Sequence, residues 1–251
     1  IRNNYKHTLT ASYFGYITQA IVNNFAPLLF VTFQRSFGIS LEKIAGLVTV
    51  NFFMQLVVDL ASAKFIDRIG YRVSIVAAHL FAGAGLIMLG TLPFALPDPY
   101  IGLLISIGFY AVGGGLIEVL ISPIVEACPT DKKSAAMSLL HSFYCWGHVA
   151  VILLTTLFFV TAGIKNWHFL AYLWAIIPFA NAVYFCLVPI NSLAAEGGAA
   201  PMKELFKSKL FWILAVLMVC SGASEQAMSQ WSSAFAEAGL KVSKTVGDLL
   251  G

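Results

Sequence analysis

Seven long apolar runs separated by short polar gaps set the pattern of this chain. They cover about 8 to 33, 44 to 63, 73 to 96, 100 to 125, 134 to 164, 167 to 190 and 210 to 236. Each has at least the roughly 20 residues a helix needs to cross a hydrocarbon layer about 30 Å thick. The runs are continuously apolar and not alternating, so they predict helices and argue against the strands of a membrane barrel. Runs one, three, five and six hold no Asp, Glu, Lys or Arg. Runs two, four and seven hold one acid each, Asp59, Glu118 and Glu225. The expected fold is an all-α polytopic membrane protein.

The gaps divide these helices. Only Asn191 to Lys209 reads as a linker, with Ala-Ala-Glu-Gly-Gly-Ala-Ala-Pro followed by three lysines. The expected organisation is a six-helix amino-terminal bundle over 1–190, a cytoplasmic linker over 191–209, and the seventh span opening a second bundle over 210–251. The chain stops at Gly251 in what reads as the start of a further helix, so it is expected to be part of a longer protein. A complete seven-span protein is the competing reading. Between runs two and three, Lys64-Phe65-Ile66-Asp67-Arg68-Ile69-Gly70-Tyr71-Arg72 reads as a tight charged loop that Gly70 turns.

Composition agrees with a bilayer. Hydrophobic residues make up 59% of the chain and charged ones 11%, with a mean hydropathy of +0.83, too few charges to coat a soluble globule. The 15 basic residues lie in the gaps and form no single patch, which argues against nucleic acid. With a cytoplasmic amino terminus, ten of them fall inside and five outside, and that bias sets the expected orientation. Cys128, Cys145, Cys186 and Cys220 are widely spaced and form no CxxC pair, so neither a disulfide framework nor a metal site is expected.

Candidate chemistry sits on polar residues inside the runs. A carboxylate within the bilayer costs at least about 2.5 kcal/mol, so Glu118 is expected to face a cavity or a partner and to load and release a proton. The alternative is a permanently protonated acid bonded to a neighbouring helix. Gly113-Gly114-Gly115 just before it allows close helix approach or a local break. In run one, Gln19 and Asn23 share a helical face with Asn24 beside them, and amides both donate to and accept from a hydroxyl-rich ligand. Hydrogen bonding between helices without a ligand is the alternative there. Run five carries His141, Tyr144, Trp146 and His148. The two histidines are about 10 Å apart along the axis, too far for one metal ion, and an aromatic beside hydrogen-bonding groups suits a sugar ring. In run seven, Glu225, Ser229 and Ser232 make a polar stripe that would line a water-filled path or a helix interface.

The Asp-Arg-x-Gly-x-Arg core at 67–72, set between spans two and three, resembles the signature loop of the major facilitator superfamily of secondary transporters. It departs at Ala63, where the family usually has glycine, and at Tyr71, where it usually has a basic residue. Asn23-Asn24, the Gly-Leu-Ile-Glu-Val-Leu-Ile-Ser-Pro stretch around Glu118, and His-Ser-Phe-Tyr-Cys-Trp-Gly at 141–147 resemble the fucose-permease-like sugar/proton symporters within it. Those symporters carry a carboxylate just after the paired asparagines, where this chain has Phe25-Ala26-Pro27, so the resemblance does not extend to that acid.

The resemblance implies a bundle of two three-helix repeats that moves a small polar solute, a sugar, by proton-coupled alternating access. It places Gln19, Asn23, Asn24, Glu118, His141, Tyr144, Trp146, His148, Glu225 and Ser229 at the solute site, with Glu118 as the proton carrier. It makes Asp59, Lys64, Asp67, Arg68, Gly70, Arg72 and Glu126 a gating latch at the cytoplasmic face. It further implies a prokaryotic inner membrane, a full-length monomer and no cofactor. A proton-driven exporter of drugs or metabolites and a non-transporting receptor are the competing functions. No HExxH, GxSxG or workable carboxylate pair points to an enzyme.

Overall fold

The structure is a computed structural model that describes residues 4–191 and 206–250; within these, the side chains of Ala63, Lys64, Asp67 and Leu250 lie outside the description. The expected linker at 191–209 falls largely outside the described residues. All regular structure among the described residues is helical. The chain divides into two units, Ile1–Ser192 and Leu193–Gly251. Among the described residues seven helical segments are long and apolar enough to cross a membrane, six in the first unit and one in the second.

In the first unit, span one is broken. Helix α1 (Tyr5–Asn24) begins at Asn4, whose side chain accepts from the Lys6 N–H, and runs to the residue before Phe25. Pro27 lacks an N–H to continue the ladder, so a 3-10 turn (Pro27–Leu29) follows before α2 (Phe30–Phe37) resumes. Span two is α3 (Leu41–Ile69), capped at Ser40, and span three is α4 (Tyr71–Ala95). Span four is α5 (Pro99–Glu126), whose first turn is capped by Asp98 accepting from Tyr100 N–H at 2.9 Å. Span five is α6 (Lys133–Ala162), and span six is α7 (Trp167–Leu187).

The charged loop at 64–72 is shorter than its composition predicts. Helix α3 continues through the charges to Ile69, and Gly70 alone separates it from α4. Lysine and arginine are good helix formers, whereas Gly70 takes φ +91° and ψ 148°, a conformation nearly closed to L side chains.

Packing follows a pattern of exchange. Span one packs on span five as span four packs on span two, and spans three and six pack on each other. That is the arrangement of two three-helix halves placed around α1 and α5. The broadest contact is α4 on α5, where small residues bring the backbones together. A methyl group on Gly113 would lie 2.5 Å from both Ala78 O and Ala82 N. Helix α5 stays continuous through the glycines, so of the two expectations for that run the close approach holds and the local break does not. The outward faces carry exposed apolar side chains such as Leu153, Leu157, Val160, Leu173, Ile176 and Val183, as a lipid-facing surface requires.

The second unit contains α8 (Lys209–Gly239), capped by Ser208, and the short α9 (Lys244–Leu250). They are joined by Asp248, buried and paired with Lys244 and Ser233.

A candidate solute and proton site in the first bundle

Three helices deliver a ladder of amides and one carboxylate to a common place. On α1, Gln19, Asn23 and Asn24 are all buried, which agrees with the expense of exposing amides to lipid. Gln19 Nε2 donates to Glu118 Oε2 of α5 at 3.4 Å. Asn23 Oδ1 accepts from Gln55 Nε2 of α3 at 3.0 Å, and the same Gln55 amide reaches Asn51 Oδ1 at 3.2 Å. Asn24 turns back on its own helix, donating to Ala20 O at 2.9 Å. Gly114 leaves the space these amides need, since a methyl there would sit 3.2 Å from Gln19 Oε1 and 3.6 Å from Gln55 Nε2.

One turn along from Gln19, Tyr16 makes a 3.0 Å hydrogen bond with Ser122 of α5. Its ring meets His141 at 5.6 Å and Tyr144 at 6.3 Å between centroids, so α6 supplies an aromatic wall beside the carboxylate. Glu118 itself is exposed, held by Gln19 at one edge and open at the other. A carboxylate presented on a surface of amides and aromatic rings can bind hydroxyls, accept a proton, or face a cation.

Of the residues the sequence singled out, Gln19, Asn23, Glu118, His141 and Tyr144 come together here. His148 lies two turns from His141 on α6 and is half-buried. Trp146 points elsewhere, 59% exposed and packed against Phe143, which stacks on Tyr13. Glu225 is exposed and Ser229 half-buried on α8, in the second unit. Among the described residues no group of His, Cys, Asp and Glu has the arrangement of a metal site.

Sequence reasoning missed Asn51, Gln55, Tyr16 and Ser122. The four-residue spacing of Asn51 and Gln55 inside an apolar run is the signal that could have found the first two. It also missed a buried node elsewhere. His79 is fully buried on α4, with Nδ1 2.8 Å from Ile75 O and Nε2 2.8 Å from Asn181 Nδ2 of α7. The Asn181 amide donates in addition to Ala11 O of α1 at 3.0 Å, so one amide ties three helices. With Nδ1–H donating to Ile75 O, Nε2 is the acceptor and the imidazole is neutral.

The residues expected to form a latch lie near the Gly70 end. Arg72 Nη1 donates to Phe185 O at 2.7 Å and Cys186 O at 3.1 Å, capping the last turn of α7. Asp59 is half-buried with Oδ1 unpartnered, and Arg68 and Glu126 are exposed. Lys64 and Asp67 have side chains outside the description. Among the described residues no ion pair joins Asp59, Arg68, Arg72 or Glu126 to another charge.

A bundle of two three-helix halves with a carboxylate among amides on one of its faces defines a membrane transporter scaffold. The profile of the Major Facilitator Superfamily matches residues 12–250, and the chain belongs to that superfamily. Among solved structures it is similar to a POT family transporter in complex with a thioalcohol-conjugated peptide, at 19% identity and a TM-score of 0.60. It is similar also to a POT family transporter in complex with 5-aminolevulinic acid, at 19% identity and a TM-score of 0.59. Each alignment covers 88% of this chain and 47% of the other, so the chain spans about half the length of these transporters. At that identity the likeness concerns the fold. No curated protein matches the chain in sequence.

Proposed function

We propose that the chain is the first bundle, with the beginning of the second, of a secondary transporter that moves a small polar solute of the sugar class by alternating access coupled to protons. The observation that carries this reading is the contact of Gln19 with Glu118 inside the ladder formed by Asn23, Gln55 and Asn51. Amides supply donors and acceptors in the pattern hydroxyl groups need, Tyr16, His141 and Tyr144 supply ring faces, and Glu118 supplies the exchangeable proton. The amino terminus would be cytoplasmic. The charged residues toward the Gly70 end, namely Lys64, Asp67, Arg68, Arg72 and Glu126, would then act as a latch that parts when the cytoplasmic side opens.

A second reading has a specific motive. Glu118 is an exposed acid on this face, and the similar structures hold a peptide conjugate and 5-aminolevulinic acid. An amine-bearing solute would pair its ammonium with Glu118. Thermal unfolding of the purified full-length protein against a panel of neutral sugars and small amino compounds separates the two, because a ligand at 100 times its Kd stabilises the folded state by about 2.7 kcal/mol. The sugar reading expects Tm to rise by several degrees with a sugar, and by less at a pH where Glu118 is ionised. A rise with amino compounds alone overturns it.

A further inference from the structure

Three independent contacts put Asp59, Gln19 and Glu118 at one level of the bundle. Helices α1 and α3 run antiparallel, and Asn23 meets Gln55, so Gln19, four residues before Asn23, is level with Asp59, four residues after Gln55. Helix α1 is antiparallel to α5 as well, and there Gln19 meets Glu118 directly. Helices α3 and α5 run in the same direction. A methyl on Gly115 would lie 3.1 Å from Gln55 Cα and 3.2 Å from Val58 Cβ, so one turn further along the pair comes to Asp59 and Glu118.

Two atoms at this level lack partners. Gln19 is 3% exposed, its Nε2 is directed at Glu118, and its Oε1 is buried without a hydrogen bond. Asp59 Oδ1 is buried without one too. A carboxylate can only accept, and so can an amide oxygen, so the two orphans cannot satisfy each other unless one of them gains a proton. A proton on Asp59 would give this level of the bundle a donor for Gln19 Oε1, while Gln19 Nε2 continues to donate to Glu118.

We propose that Asp59 and Glu118 are a carboxylate pair that holds one proton between them, with the Gln19 amide as the bridge. The inference rests on the reading that Glu118 carries the coupled proton and adds the second carboxylate, supplied by span two. One proton enters the pair from the side of higher proton concentration when the site faces it, and the same proton leaves to the opposite side after the bundles rock. Nothing else is consumed. The other titratable groups facing the pair are Tyr16 on α1, whose ring borders Glu118, and His141 and Tyr144 on α6, which reach it through the Tyr16 ring.

The test is the pH dependence of solute uptake by the full-length transporter in proteoliposomes, with Asp59→Asn, Asp59→Glu and Glu118→Gln beside the wild type. Removing one member of a carboxylate pair relieves repulsion on the other, which then gives up its proton at lower pH. Asp59→Asn is therefore expected to move the pH of half-maximal uptake at least about one unit toward acid. Asp59→Glu is expected to bring it back to within a few tenths of the wild-type value. A wild-type midpoint in Asp59→Asn, with Glu118→Gln unable to accumulate solute, overturns the pair and leaves Glu118 as sole carrier. Proton-driven accumulation by Glu118→Gln overturns the underlying reading instead. If Asp59→Asn fails to fold, Gln19→Leu serves the same purpose: removal of the bridge is expected to shift the midpoint, and an unshifted midpoint overturns the proposal.

Discussion

His79 has no route to water and makes its hydrogen bonds with Ile75 and Asn181 as a neutral ring. Replacing Asn181 with Leu leaves the buried His79 Nε2 without its donor, and the loss of folding stability should be about 1 to 3 kcal/mol. Thermal unfolding of the full-length protein in detergent measures it. Cys128 offers a second residue-level check. It lies just past α5, buried, with its Sγ directed at Ile124 O, and burial pushes its thiol up to about 11. It stays protonated at neutral pH, and the expected labelling by a water-soluble maleimide is slow until the protein is denatured. Of these residues the sequence made Gln19, Asn23 and Glu118 legible, because a polar residue in an apolar run must be explained. His79, Asn181 and Gln55 are equally polar in equally apolar runs. What a single sequence lacks is the register between helices that decides which of them meet.

At the scale of elements, composition misjudged where a helix ends. The charges from Lys64 to Arg68 read as a loop, yet α3 carries them to Ile69, and the break belongs to Gly70 alone. Both Gly70→Ala and Gly70→Asn should cost about 1 to 3 kcal/mol, because φ +91° with ψ 148° suits neither residue. Asparagine, which tolerates an ordinary left-handed turn, should give no relief, and comparing the two variants by thermal unfolding checks the conformation itself. Gly113→Ala tests a different mechanism, since its methyl meets backbone atoms of α4 that cannot rotate away. A loss of about 1 to 3 kcal/mol is expected from forcing α4 and α5 apart. Span one breaks at Pro27, whereas Pro93, Pro123 and Pro178 sit inside continuous helices, so proline alone does not mark a break.

At the scale of the molecule, seven spans and the superfamily could be read from the apolar runs and the Asp-Arg-x-Gly-x-Arg core. The exchange of packing partners between the two halves could not, because it is a relation between helices far apart in sequence. Function enters at this scale, since a coupled transporter must convert a proton gradient into a solute gradient. The measurement that bears most directly on the account is uptake into proteoliposomes by the full-length protein under an imposed pH gradient, with and without Glu118→Gln. The wild type should concentrate solute above the outside level, while the variant should accumulate none and still exchange solute across equal pH. Uphill, gradient-driven accumulation by Glu118→Gln equal to that of the wild type would contradict the account.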